Sequence, residues 1–300
     1  MDKLAAFVMT DRWRATGAVV GFALLGLIIP PITLLSGAAL SLVGLRLGVA
    51  QGLSILGLAV LAMAVLSTII MGQPWIGAVF GLAQWAPLLG LTLILRHTVS
   101  LALTLKAGTA TGLAAVLGSA LLIPNIDSVW KAVLDDIARP TLTRADVPAA
   151  TIDAILQQAA PVMTGSFVAA MLLSLALSLC IARWWQALLY NPGGFREEFL
   201  ALQLGPLTAG LTLVLVAGAL LTKASLLIEL AMVASVMFFL QGMAVTHTAI
   251  ANAAHPTLWL VGFYSLLLLA LPQMMVGIAA LGTIDAFADF RARLGGKRRD

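Results

Sequence analysis

The chain has 300 residues, of which 61% are hydrophobic and only 10% charged, with a mean hydropathy of +1.04 and a formal net charge of +4. This balance lies far outside that of soluble globular domains and excludes a chain whose main solvent is water. The basic excess gathers at the two termini, where membrane topology accounts for it, so no nucleic-acid partner is implied. The only cysteine, Cys180, excludes an intrachain disulfide and a thiolate metal cluster.

Residues 15–45, 47–95, 107–126, 154–182, 199–222 and 230–284 contain no Asp, Glu, Lys or Arg. A charge at the centre of a membrane helix costs about 2.5–3.5 kcal/mol on insertion scales, so long charge-free runs are what a bilayer selects. About 20 apolar residues cross the hydrocarbon core, and dividing the runs at Pro, Gly and isolated basic residues predicts nine spans. The first, 15–29, carries Gly17 and Gly21 at four-residue spacing, which lets a neighbouring helix approach closely, either inside the bundle or from a partner subunit. Gly44, Gly48 and Gly52, Gly77 with Gly81, and Gly108 with Gly112 repeat the spacing, and internal packing is the default reading for all of them. The pair on the first span is the best partner candidate, because an N-terminal helix often sits at a bundle's edge.

Pro30 and Pro31 separate the first span from the second, 32–46, the shortest of the set. The third, 49–70, carries Gln51 in its first turn; the fourth, 75–95, holds Gln84 beside Trp85; the fifth covers 99–123. Residues 125–160 form the one substantial insertion. There Ile126, Val129, Trp130, Val133, Leu134 and Ile137 recur at helical spacing, with Asp127, Lys131, Asp135 and Asp136 on the other side. This amphipathic helix is expected to lie on the outer membrane surface or to cap the bundle, its stripe docked through Trp130. Asp146 and Pro148 predict the start of a second short helix carrying Ile152, Ile155 and Leu156. The sixth span is 161–185.

The segment Asn191-Pro192-Gly193-Gly194-Phe195-Arg196-Glu197-Glu198-Phe199 combines a turn with an amphipathic Phe195, Phe199, Leu202 stripe. It reads as a cytoplasmic elbow, 191–204, and as the best docking site for a soluble partner. Spans at 205–222, 226–250 and 258–281 follow, then a basic tail, 285–300. Glu229, one turn inside the eighth span and near Lys223, is either an interfacial acid or an ion site. His247 and His255 flank the other end of that span, and Pro272 interrupts the ninth.

Lys3, Arg12 and Arg14 favour a cytoplasmic N-terminus, and alternation then exports the 125–160 insertion. Nine crossings, however, would export the basic tail against the same rule. Eight or nine spans therefore remain open, with 32–46 and the Pro272-interrupted segment as the ones that need not be full crossings. The expected fold class is an all-α, polytopic transmembrane bundle with an amphipathic helical insertion.

No HExxH, GxSxG, GxGxxG or P-loop occurs, and every Asp lies outside the charge-free runs. The chain is therefore expected to be non-enzymatic, without cofactor, catalytic or metal residues. Over its full length it resembles the YybS-like bacterial membrane proteins, a family of unknown function. The resemblance is carried by Asn191-Pro192-Gly193-Gly194-Phe195 with Glu198-Phe199, by Gln241-Gly242-Met243-Ala244-Val245, and by Gly282-Thr283-Ile284-Asp285 followed by Phe290-Arg291, in that order and spacing. Residues 1–190 also resemble the substrate-binding S subunit of energy-coupling-factor transporters. Pro30-Pro31 stands for its first outer loop, Gly44-Leu45-Arg46-Leu47-Gly48 for the tight cytoplasmic turn, and Arg96-His97 for the basic end of the fourth helix. The C-terminal spans, 205–284, depart from that pattern.

These resemblances imply a bacterial plasma-membrane protein. Two functional readings follow. In one, a small-molecule-binding or transport-related subunit has Gln51, Gln84 and Trp85 facing a ligand cavity that opens near Pro31. In the other, a scaffold or assembly factor docks a membrane or cytoplasmic protein through Gly17 and Gly21 or through Asn191, Gly193, Gly194, Phe195, Arg196 and Glu198. An ion-coupled carrier would need Glu229 facing the interior.

Overall fold

The computed structural model describes residues 1–291; Arg293, Lys297, Arg298 and Arg299 of the basic tail lie outside the described residues. The fold is all-α, with no strand among the described residues. In chain order the helices are α1 (Asp2–Val8), α2 (Arg12–Ile28), α3 (Thr33–Leu47), α4 (Val49–Met71), α5 (Pro74–Thr98), α6 (Leu101–Leu122), α7 (Ile126–Arg144), α8 (Ala149–Ala159), α9 (Met163–Tyr190), α10 (Gly194–Leu200), α11 (Pro206–Thr222), α12 (Ser225–Ala251), α13 (Pro256–Leu269) and α14 (Leu271–Ala288). Short 3₁₀ turns at Pro30–Ile32 and Ala160–Val162 lead into α3 and α9. Among the described residues, seven segments are long and apolar enough to cross a membrane: Pro30–Leu47, Val49–Met71, Pro74–Thr98, Leu101–Leu122, Ala149–Tyr190, Ser225–Ala251 and Leu271–Ala288. The chain is thus a multi-pass membrane protein. The apolar helices Pro206–Thr222 and Pro256–Leu269 are shorter, and α2, with 17 residues, reaches only about 25 Å.

Two compact units divide the chain. Unit one comprises Met1–Ala107 and Leu173–Leu202. Its helices are set in register by small residues at crossing points. Gly26 lies against Thr33 and Ser36 donates to the Val19 carbonyl, so α2 and α3 run antiparallel. Gly37 abuts Leu88 and Ser178, and Gly44 abuts Thr92, which places α5 and the second half of α9 parallel to α3. Gly77 and Gly81 meet Met63 and Val60, returning α4 antiparallel to α5. Several polar side chains inside this unit are consumed locally: Thr92 donates to the Leu88 carbonyl, 2.7 Å away, and pairs with Ser41 at 2.9 Å. Such pairing is what hydrocarbon demands of buried hydroxyls.

Unit two comprises Gly108–Leu172 and the described residues from Gln203 onward. Its centre is α12, buried continuously from Val236 to Val245 and over most of the stretch from Glu229, with Met232 exposed. Helix α14 packs antiparallel on it. A Cβ at Gly282 would run into the Phe238 carbonyl oxygen and lie 2.6 Å from the Gly242 nitrogen, and one at Gly242 would lie 2.8 Å from the Ile278 carbonyl carbon. Only glycine permits backbones this close.

Three expectations about boundaries change. The ninth predicted span, 258–281, is two helices broken at Ala270 (φ −128°, ψ 46°), because Pro272 has no N–H to offer and biases its predecessor away from helical geometry. Helix α14 then continues beyond the charge-free run, through Asp285 to Ala288. The insertion helix α7 passes its expected end at Ile137 and its own Pro140 to reach Arg144. The second insertion helix forms as α8, with Ile152 and Leu156 buried and Ile155 outside. On α7 the stripe is split. Trp130 is half-buried, donating its indole N–H to Thr164 Oγ1 at 2.8 Å with its ring 6.0 Å from that of Phe167, whereas Val129 (52% exposed) and Ile137 (70%) face outward.

Candidate functional site

The three residues expected to face a ligand have three different surroundings. Trp85 is wholly buried and donates to Ser36 Oγ at 3.1 Å, so it belongs to the packed interior of unit one. Gln84, one residue earlier and pointing elsewhere on α5, is half-buried, with Ser174 at 3.5 Å as its partner. Gln51 is exposed on the first turn of α4, at the Gly48 end rather than the Pro31 end. Among the described residues the three do not share one environment, because a helix turns successive residues to different faces and Trp85 is spent on bridging α5 to α3.

The glycine pairs separate into two kinds. At Gly44, Gly52, Gly77, Gly81 and Gly112 an added Cβ would meet a neighbouring helix within 3.2 Å. At Gly17 and Gly21 it would meet nothing within 4 Å. These two line an open apolar groove of about 530 Å³ bounded by Leu4 and Phe7 of α1 and by Trp13, Phe22 and Leu25 of α2, with Arg14 at its polar end. Arg14 is held over the Phe7 ring at 5.6 Å and beside Asp11 at 3.3 Å.

The elbow forms as α10. Gly193, at φ +92°, makes the left-handed turn that only glycine adopts cheaply, and the Asn191 amide packs on Gly194. Phe195 and Phe199 stack 5.8 Å apart and Leu202 is buried, so the apolar stripe is turned inward. Glu198 is committed to an ion pair with Arg183 of α9. Arg196 and Glu197 are the charges this short helix leaves outward.

Glu229 is 7% exposed, and its carboxylate accepts the Gly165 N–H at 2.8 Å. It supplies an acceptor to the first turn of α9, where backbone N–H groups lack intrahelical partners. Gly165 is required for the approach, since a Cβ there would lie 2.8 Å from Glu229 Cγ. With Trp130 bonded to the adjacent Thr164, α7, α9 and α12 meet at one polar joint.

A second buried acid was not read as a site from sequence. Asp285, 0% exposed, accepts the Phe290 N–H at 3.0 Å on Oδ1, and on Oδ2 accepts Gln241 Nε2 at 2.8 Å and Arg291 Nη2 at 2.9 Å. Gln241, also buried, accepts the Leu204 N–H at 2.9 Å. The network joins α12, the end of α14 and the strand of chain entering α11. Three donors occupy the Asp285 carboxylate, so the arrangement as built fastens segments together and offers no open coordination position. Asp285 escaped notice because it stands one residue beyond a charge-free run. The available signal was the pair of motif stretches Gln241-Gly242 and Gly282-Thr283-Ile284-Asp285, which fold onto each other. No group of three or more His, Cys, Asp or Glu residues suited to hold a metal occurs among the described residues. No protein-family model, curated protein or solved structure matches this chain.

Proposed function

We propose that this chain is a non-enzymatic scaffold of the bacterial plasma membrane that docks a partner's transmembrane helix along α2. The observation that carries this reading is a contrast among the paired glycines: Gly44, Gly52, Gly77, Gly81 and Gly112 are met by neighbouring helices, whereas Gly17 and Gly21 floor an unfilled apolar groove. Helices associate in lipid through such small-residue surfaces, which allow close van der Waals contact. The N-terminus lies in the cytoplasm under the positive-inside rule, and alternation exports the α7–α8 insertion. The break at Ala270 divides the 258–281 segment into a short α13 and an α14 that alone is long enough to cross.

The test is site-specific photo-crosslinking from Ala18 in cells, repeated with Gly17→Ile and Gly21→Ile. A protein adduct that disappears in the double variant is expected; its absence in the unaltered chain refutes the docking reading. A ligand-binding subunit has narrower support, namely the long 3.5 Å contact between Gln84 and Ser174, which leaves amide hydrogen-bonding capacity unspent. That reading requires a small molecule to co-purify with the chain and to be lost in Gln84→Ala.

A further inference from the structure

In unit one the antiparallel and parallel pairings bring the start of α2 and the ends of α3, α5 and α9 to one end, because Arg46 of α3 stacks over the Tyr190 ring of α9 at 4.2 Å and Arg96 of α5 reaches the Gly44 and Leu45 carbonyls of α3 at 3.2 and 3.1 Å. Every charged residue of the unit lies there: eight basic and four acidic side chains, a net of +4. The opposite end, formed by the turns at 29–32 and 72–73, has none.

The four acids leave this end net positive: Asp2 lies 3.5 Å from the N-terminal ammonium and Glu197 is exposed next to Arg196 in the chain. Asp11 is engaged with Arg14 and Glu198 with Arg183. Lys3, Arg12, Arg46, Arg96, Lys106 and Arg196 have no carboxylate within ion-pair distance among the described residues. All but Lys106, which is half-exposed, are exposed. Two of the guanidinium groups are braced by aromatic rings, Arg12 over Trp13 at 5.1 Å and Arg46 over Tyr190 at 4.2 Å. A ring engages the guanidinium face and leaves the in-plane N–H donors pointing outward, the geometry suited to phosphate oxygens. Exposed Trp13 and Tyr190 also mark the headgroup level.

We infer that this end of unit one is a binding surface for anionic phospholipid headgroups, selecting phosphatidylglycerol-type lipids over zwitterionic ones. The charge complementarity is one-sided. Six unpaired cations at the level of the headgroups face a leaflet whose anionic lipids attract them by about 1 kcal/mol each, or about fivefold in affinity per cation. The inference is independent of the docking reading, since it rests on cations outside the α2 groove.

The test is native mass spectrometry of the full chain released from detergent, titrated with phosphatidylglycerol and with phosphatidylcholine of the same acyl chains. Phosphatidylglycerol should bind tighter, by a margin that shrinks as ionic strength rises. Arg12→Gln with Arg46→Gln and Arg196→Gln should cut that preference by roughly 100-fold at low salt, and Arg196→Gln alone by about fivefold. Retained helical circular dichroism in both variants separates lost binding from lost fold. Equal affinity for the two lipids, or an undiminished preference in the folded triple variant, overturns the inference. Displacement of the lipid by millimolar inorganic phosphate also overturns it, assigning the cations to a soluble anion.

Discussion

Replacing Gly282 by alanine tests how tightly α12 and α14 are joined, and Gly277 on the same helix is its control. At Gly277 an added Cβ meets nothing within 4 Å, so alanine there is helix-compatible and stabilises by about 0.4–1 kcal/mol through the unfolded chain. At Gly282 the same methyl collides with the Phe238 carbonyl oxygen and lies 2.6 Å from the Gly242 nitrogen, atoms of a backbone that cannot rotate away. The helices must separate by about 1 Å to restore contact distance, which overpacking measurements place at about 1–3 kcal/mol. Separation also stretches the 2.8 Å bond between Gln241 and Asp285, and a buried polar group left unpaired costs about 1–3 kcal/mol more. Gly282→Ala is therefore expected to destabilise by roughly 2–6 kcal/mol while Gly277→Ala is neutral or stabilising. Thermal unfolding in one detergent, followed by far-ultraviolet circular dichroism, compares the two. Equal shifts, or a higher melting temperature for Gly282→Ala, refute the close antiparallel packing.

Trp130→Ala removes a half-buried ring, its bond to Thr164 and its contact with Phe167, and is expected to cost about 2–3 kcal/mol, below the 3–5 of a fully packed site; Ile137→Ala should stay within about 0.5, and equal melting shifts would dissolve the cap. Glu229→Gln keeps an acceptor for the Gly165 N–H, whereas Glu229→Ala leaves that donor bare, so alanine should be the more destabilising by about 1–3 kcal/mol in the same melts. Lys131 and then Arg139 hold the Asp135 carboxyl below the usual carboxylate range. A lowered folded value contributes stability that is present above the unfolded value of about 3.9 and is lost as pH falls through the folded one. Arg139 also pairs with Asp153, so proteolysis of the 145–148 link between α7 and α8 should stay constant from about pH 7 to 5 and rise only below about pH 4. Trp85→Ala should cost about 3–5 kcal/mol and Gln51→Ala within 0.5, checked by reactivity of the buried Cys180 during heating.

The solvent of this chain and the place of most of its helices were legible from charge alone, because a bilayer excludes Asp, Glu, Lys and Arg from long runs whatever the helices pack against. Local chemistry also announced the insertion helix, the α8 start after Pro148 and the turn at Asn191-Pro192-Gly193-Gly194, since hydrophobic period and turn chemistry act within a few residues. Packing decided the rest. Gly17 and Gly242 look alike in sequence, and only the neighbours of α2 and α12 leave one open and press the other onto a carbonyl. Gln84 and Trp85 are adjacent, yet one bridges to Ser174 and the other is shut in with Ser36, because facing depends on which helices surround α5. Asp285 read as a residue just outside a span until α14 carried it inward to Gln241 and Arg291. Apart from the local contact to Arg291, those contacts join positions dozens of residues apart, and apolarity, which is non-directional, states that a helix is buried in lipid or protein without stating which.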